Sequence, residues 1–233
     1  MLLLSRQICP NDYTMNEPGK TIKRKPTEHT DAKTLLLKAN LAHGGHALDI
    51  VKTMHYSALI MGVKAVSYTD IYNHKLRIEL WENDRLVSVE QMDGNNSWRW
   101  IQGKKAPLPP NRIAEMKSTF YSGLLGLRKP ALNQMQVLNM QKLKNNTYSI
   151  LGRLEGNDYI FALNNQNLLV AEANKTSGRT SVSALSDLRS VQGILIPFKE
   201  IVTTGFKKLI IEYENFEINP SFATATWAVP AAI

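Results

Sequence analysis

The pair His43-Gly44-Gly45-His46 is the feature whose residue types most invite chemistry. Two imidazoles alone do not make a zinc site, which needs roughly three or four ligands. His29, His55 and His74 are scattered, and Cys9 lies far upstream. The two glycines fall where a preceding helix should stop, and glycine reaches the backbone angles that a stop requires. The motif therefore reads as turn chemistry, with no metal. No nucleophile elbow, Walker loop, dinucleotide fingerprint or His-Glu-x-x-His motif occurs. Ser, Asp and His triads could assemble only from distant positions, and no spacing favours one. Glu212 and Glu214 share one strand face and read as solvated charges rather than an acid and a base. Asn145-Asn146-Thr147 and Asn174-Lys175-Thr176 match the glycosylation acceptor pattern and read as chance turn sequences. The chain reads as a non-enzyme with no catalytic residue and no cofactor.

Binding is the remaining class. Lys75–Trp81 alternates, with Leu76, Ile78 and Leu80 on one face and Lys75, Arg77 and Glu79 on the other. Trp98 and Trp100 share a face of a later strand. Ile113, Met116, Phe120, Leu124 and Leu127 recur at helical spacing. These residues are either sheet and helix core or the lining of an acyl-binding cavity. The expectation tested below is that Leu76, Ile78, Leu80, Trp98 and Trp100 form one concave face. That face would look at a helix carrying Ile113, Met116, Phe120 and Leu124, with Phe120 and Leu124 as core filling or as a lid. An apolar space of that kind holds an aliphatic ligand because it is poorly hydrated when empty.

The elements that must position these residues are mostly strands. Asp31 can cap a helix over residues 32–42, and Asn111 a second one. Strand patterns run over 54–61, 65–72, 75–81, 85–92 and 97–101, with Asp93-Gly94 as the strongest short hairpin signal. They resume at about Met135 with 137–143, 148–154, 159–163, 168–173 and 181–188. Two more strands flank the turns at Gln192-Gly193 and Gly205, and the last ends at Asn219-Pro220. That is about eleven strands. Helices occur only before the sheet and between its halves, which excludes an alternating parallel α/β fold. The fold class is mainly β (α+β): a curved antiparallel sheet or half-open barrel with helices covering its concave side.

The chain has 233 residues, 43% hydrophobic, enough for one large β domain over residues 31–233. Its net charge is +8, and residues 1–30 hold five Lys/Arg against three acids. That segment, with Pro10, Pro18, Gly19 and Pro26, reads as a disordered basic arm. The spread charge permits an anionic partner without demanding one, and no nucleic-acid partner is expected. No stretch approaches the roughly 20 apolar residues of a spanning helix. The run Leu2–Leu4 falls short of the roughly 7–15 residues of an export signal.

Four motifs in fixed order carry a resemblance: Ala42-His43-Gly44-Gly45, Asp93-Gly94 followed by Trp98, Pro107–Pro110 before an amphipathic helix, and Gly193–Phe198 with Phe216–Pro220. Together they resemble the LolA/LolB-like superfamily of outer-membrane lipoprotein-sorting proteins, over residues 35–229. The resemblance implies a half-open antiparallel barrel with helices at its mouth. It implies periplasmic localisation and non-covalent binding of lipid or of lipoprotein acyl chains, in envelope lipoprotein sorting or transport, with envelope proteins as further partners. The alternatives are an interaction subunit with no ligand, or an envelope hydrolase with an unrecognised site.

Overall fold

The computed structural model describes residues 26–176 and 178–231. Thirteen strands form one sheet, and every pairing is antiparallel. The first meander is β1 (Thr53–Ile60), β2 (Val63–Asp70), β3 (Lys75–Glu82), β4 (Arg85–Asp93), β5 (Trp98–Ile101) and β6 (Lys104–Pro107). The second is β7 (Gln136–Lys142), β8 (Tyr148–Leu154), β9 (Asn157–Leu163), β10 (Leu169–Thr176), β11 (Arg179–Val191), β12 (Ile194–Thr204) and β13 (Lys207–Ile218). The helices are α1 (Pro26–Ala42), α2 (His46–Asp49), α3 (Pro110–Ser118), α4 (Gly123–Gly126) and α5 (Lys129–Gln134). The strand order is β6-β5-β4-β3-β2-β1-β13-β12-β11-β10-β9-β8-β7. The two edges, β6 and β7, do not pair with each other, so the curved sheet stays a half-open barrel. The count exceeds the expected eleven partly because Lys104–Pro107, outside the expected strand patterns, adds an edge strand beside β5.

The tight turns follow their residues. Gln192 and Gly193 both have positive φ, 49° and 81°, the left-handed pair that matches the twist of flanking strands. Asp93-Gly94 does not make so short a turn. A 3-10 turn over Gly94–Asn96 follows β4, closed by the Ser97 hydroxyl, which accepts from the Asp93 amide at 3.1 Å.

The two meanders meet only at β1 and β13. There the Asn219 side-chain oxygen accepts the Lys52 amide at 2.7 Å, and the Asn219 backbone N–H donates to the Thr53 carbonyl at 2.9 Å. Thr53 Oγ1 donates to the Pro220 carbonyl at 2.8 Å.

The main core lies on the concave side. α1 starts at Pro26, earlier than the expected residue 32, because proline fits a helix's first turn. It buries Ala32, Leu36 and Ala39 and packs on β7 and α5. The expected disordered arm falls, up to Lys25, outside the described residues. The expected second helix is broken: α3 gives way to a 3-10 turn over Thr119–Tyr121, then to α4. Met116, Phe120 and Leu127 are nonetheless buried, and Ile113 and Leu124 pack against them. α5 had no counterpart in the sequence reading.

His43 joins three elements. Its Nε2 accepts the Leu169 amide of β10 at 2.9 Å, so its Nδ1 carries the proton and donates to the Leu195 carbonyl of β12 at 2.6 Å. Gly44 runs so close beneath that a Cβ would sit 2.7 Å from the Gly193 carbonyl. Burial lowers the His43 pKa below its ordinary value of 6.5, opposed by its bond to Leu195. The neutral ring is the folded form, because protonation removes the acceptor for Leu169. The stability it contributes is full above pH 6.5 and is lost as pH falls below that value. His43→Ala should cost at least ~2 kcal/mol in denaturant unfolding at pH 7.5, through two stranded backbone groups, and should flatten the decline on the acid side.

Candidate functional site

Strand alternation sends one set of side chains into the concave side. On β12 these are Ile196, Phe198, Glu200 and Val202; Glu200 pairs with Leu185 of β11 and Ile211 of β13. On β10 Glu172 faces the same way, paired with Ser183. Opposite these strands lies the segment from α3 to α4. Between them is a cavity of about 410 Å³. Its walls include Leu124, Leu125, Leu185, Ile196, Val202 and Phe216, with Met54 and Tyr56 from β1.

Two carboxylates interrupt this apolar lining. Glu200 Oε2 accepts the Tyr213 hydroxyl at 2.6 Å. Glu172 has no such donor: its Oε2 is shielded from solvent and without a hydrogen-bond partner. Burial pushes the Glu172 carboxyl up to about 8, helped by repulsion from Glu200 and opposed by the Gly123 amide. Burial likewise raises Tyr213 well above 10, with Glu200 adding to it, and raises Tyr56. Gly123 explains both this proximity and the broken helix. Its φ is +55°, and a Cβ there would lie 3.0 Å from Glu172 Oε2. The cavity's cationic side chain, Arg112, is already engaged: its Nε donates to Glu90 at 2.8 Å and an Nη to Glu115 at 3.1 Å.

Leu124, alone among the residues read as cavity lining, borders this space. Leu76, Met116 and Phe120 are buried in the main core, with Ile78 and Ile113 packed against them. Leu80 is half-buried on β3. Phe120 borders a second space of about 410 Å³, beside His74, Tyr121, Arg128 and Glu155. Trp98 and Trp100 correct the expectation: they lie on the opposite face. Trp98 pairs with Gln91, which pairs with Arg77, whereas Leu76 pairs with Met92. Directly opposed residues share a face. The tryptophans therefore form a separate cluster with Val89, behind the sheet.

That outer face is closed by the chain's C-terminal segment. Arg77 Nε donates to Glu79 at 2.7 Å, and Nη1 donates to the Ala228 carbonyl at 2.9 Å. Gln91 donates to the Trp227 carbonyl at 3.1 Å, and Phe222 meets Tyr68 edge-on. This network holds the tail against the outer face.

His43 and His46 do not converge: one is buried with both ring nitrogens in use, the other is exposed. Glu212 and Glu214 are exposed, and Glu212 pairs with Lys199 at 2.9 Å. Glu172 and Glu200 were missed. Their signal was present, since Glu200 sits in step with Ile196, Phe198 and Val202, a lone charge in an inward set.

No protein-family model matches the sequence, and no curated protein matches it either. Among solved structures, a LolA superfamily protein from Nitrosomonas europaea superposes with a TM-score of 0.57 at 11% identity, covering 85% of this chain and 97% of that one. A DUF1329 family protein from Desulfovibrio piger gives 0.44 at 8% identity, covering 86% and 97%. The Mycobacterium tuberculosis lipoprotein LppX gives 0.36 at 11%, covering 81% and 97%. The first likeness establishes a shared LolA-like fold.

Because the folded Glu172 value lies above the ordinary 4.5, its protonated form fits the cavity. Relative stability is greatest below pH 4.5 and is lost as pH rises toward about 8. Glu172→Gln mimics the neutral acid. It should match the parent at pH 5 and exceed it by about 1–3 kcal/mol at pH 9, read by denaturant unfolding at both pH values.

Proposed function

We propose that this chain is a non-catalytic carrier or receptor that binds an aliphatic amphiphile, a lipid or a lipoprotein acyl chain, in its concave cavity. The observation that carries this reading is the space of about 410 Å³ lined by Leu124, Leu185, Ile196, Val202 and Phe216. That volume falls within the range of sites that enclose small ligands. An interaction subunit would have no need of such a gap, and filling it would gain dispersion energy. The LolA-like fold supports the same reading, and with it a role in envelope lipoprotein sorting or transport in the periplasm. None of the described helices is long and apolar enough to cross a membrane.

Native mass spectrometry of gently purified protein should show a co-purified lipid. After delipidation, a fluorescent acyl probe should bind saturably with micromolar affinity, about 8 kcal/mol of binding free energy. Leu185→Trp fills the cavity and should weaken binding at least tenfold. Phe120→Ala should cost roughly 3–5 kcal/mol of stability while leaving probe affinity unchanged, because Phe120 packs in the core outside this cavity. Well-folded, delipidated protein without saturable binding would favour the interaction-subunit reading.

A further inference from the structure

The cavity's charged groups carry an inference about its ligand, and it rests on the carrier reading above. An aliphatic ligand needs only apolar walls. This cavity also presents two acids on inward positions of β10 and β12, with β11 between them: Glu172 and Glu200. Glu172 Oε2 is buried and lacks a hydrogen-bond partner. A buried, unpartnered carboxylate oxygen costs free energy that an apolar residue would not incur. A leucine at that position would not incur that cost. The nearest groups from each packed element leave the oxygen unanswered. From β12 comes Glu200, a second acid already accepting from Tyr213. From β1 comes Tyr56, and from the helical side the Gly123 backbone. Arg112 on α3 is held by Glu90 and Glu115.

We infer that the cavity takes an amphiphile whose polar end is an ammonium group, held by Glu172 and Glu200 while its aliphatic chain lies against Leu124, Leu185 and Val202. A primary ammonium has three donors and a positive charge. It answers the free Glu172 oxygen, and its positive charge offsets the negative charge that Glu172 takes up on losing its proton. Charge-assisted bonds of this kind are stronger than neutral ones. A fatty-acid carboxylate would meet two acids and, among the described residues lining the cavity, no unengaged cation, so it should bind weakest. Glu172 is neutral in the empty cavity at pH 7, since burial holds it near 8. Binding an ammonium therefore releases a proton from Glu172. Affinity for the amine should rise by up to roughly tenfold per pH unit between pH 6 and 8.

Three probes with one chain test this by calorimetry on delipidated protein: dodecylamine, dodecanol and dodecanoate. Dodecylamine should bind at least tenfold tighter than dodecanol at pH 8, and dodecanoate weakest. Glu172→Gln should remove the amine's advantage while leaving dodecanol binding intact. Buffers of different ionisation enthalpy should report proton release from the parent protein on amine binding, a readout that needs no variant. Equal binding of the three, or preference for dodecanoate, would overturn the ammonium assignment and leave the carrier reading standing. Failure of all three to bind would overturn both. Two competitors separate the sources of an ammonium: lysophosphatidylethanolamine, and an S-acylated cysteinyl peptide with a free amino terminus. Displacement of dodecylamine by either supports the assignment, and displacement by neither overturns it.

Discussion

The pairing of β1 with β13 is the constraint on which the rest of this structure depends. Every other neighbour in the sheet is also a neighbour in sequence. Without this one joint the chain would be two separate meanders, each too shallow to enclose anything. With it, six strands and seven strands become one curved surface, and the inward residues of β1, β10, β12 and β13 face a common space. The Asn219 side chain and the Thr53–Pro220 bond close the joint at the end where β1 starts and β13 stops. Because the sheet's edges do not meet, the concave side remains accessible and must be covered by helices instead.

That cover accounts for the site's chemistry. α3 and α4 are too short and too interrupted to fill the concave side as one continuous helix would. The left-handed Gly123 turns the chain where Glu172 rises from the sheet. The gap that remains holds apolar walls and two acids, in a chain whose net charge is +8. His43, Gly44 and the Asn40–Asp49 bond at 2.8 Å anchor the other end of the cover, so the helices stay where they leave the cavity open. The outer face is handled differently. There Arg77, Glu79 and Gln91 are sealed under the C-terminal segment, which explains how charged residues can be buried on the side away from the site.

Much of this fold was legible. Period-two alternation marked most strands, and Gln192-Gly193 and Asn219-Pro220 marked the final meander. His43-Gly44-Gly45 marked the junction that stops α1. What alternation could not supply was register. Within β3 and within β5 the faces were separable, but which face of one joins which face of the other depends on pairing through β4. Trp98 and Trp100 were therefore placed on the wrong side. Helical periodicity likewise survived the break at Ser122–Gly123, because Met116, Phe120 and Leu127 remain inward through a 3-10 turn. Glu172 and Glu200 went unseen because a glutamate in a strand reads as solvent-facing until its inward neighbours are counted.

The central claim is that an aliphatic chain occupies the concave cavity. The most direct test is photo-crosslinking of delipidated protein with an alkyl probe carrying a diazirine, followed by peptide mapping. The account predicts saturable labelling confined to the cavity-lining parts of β1 and β10–β13 and to Ser122–Leu125. Labelling around Trp98 and Trp100, or labelling that does not saturate, would contradict it.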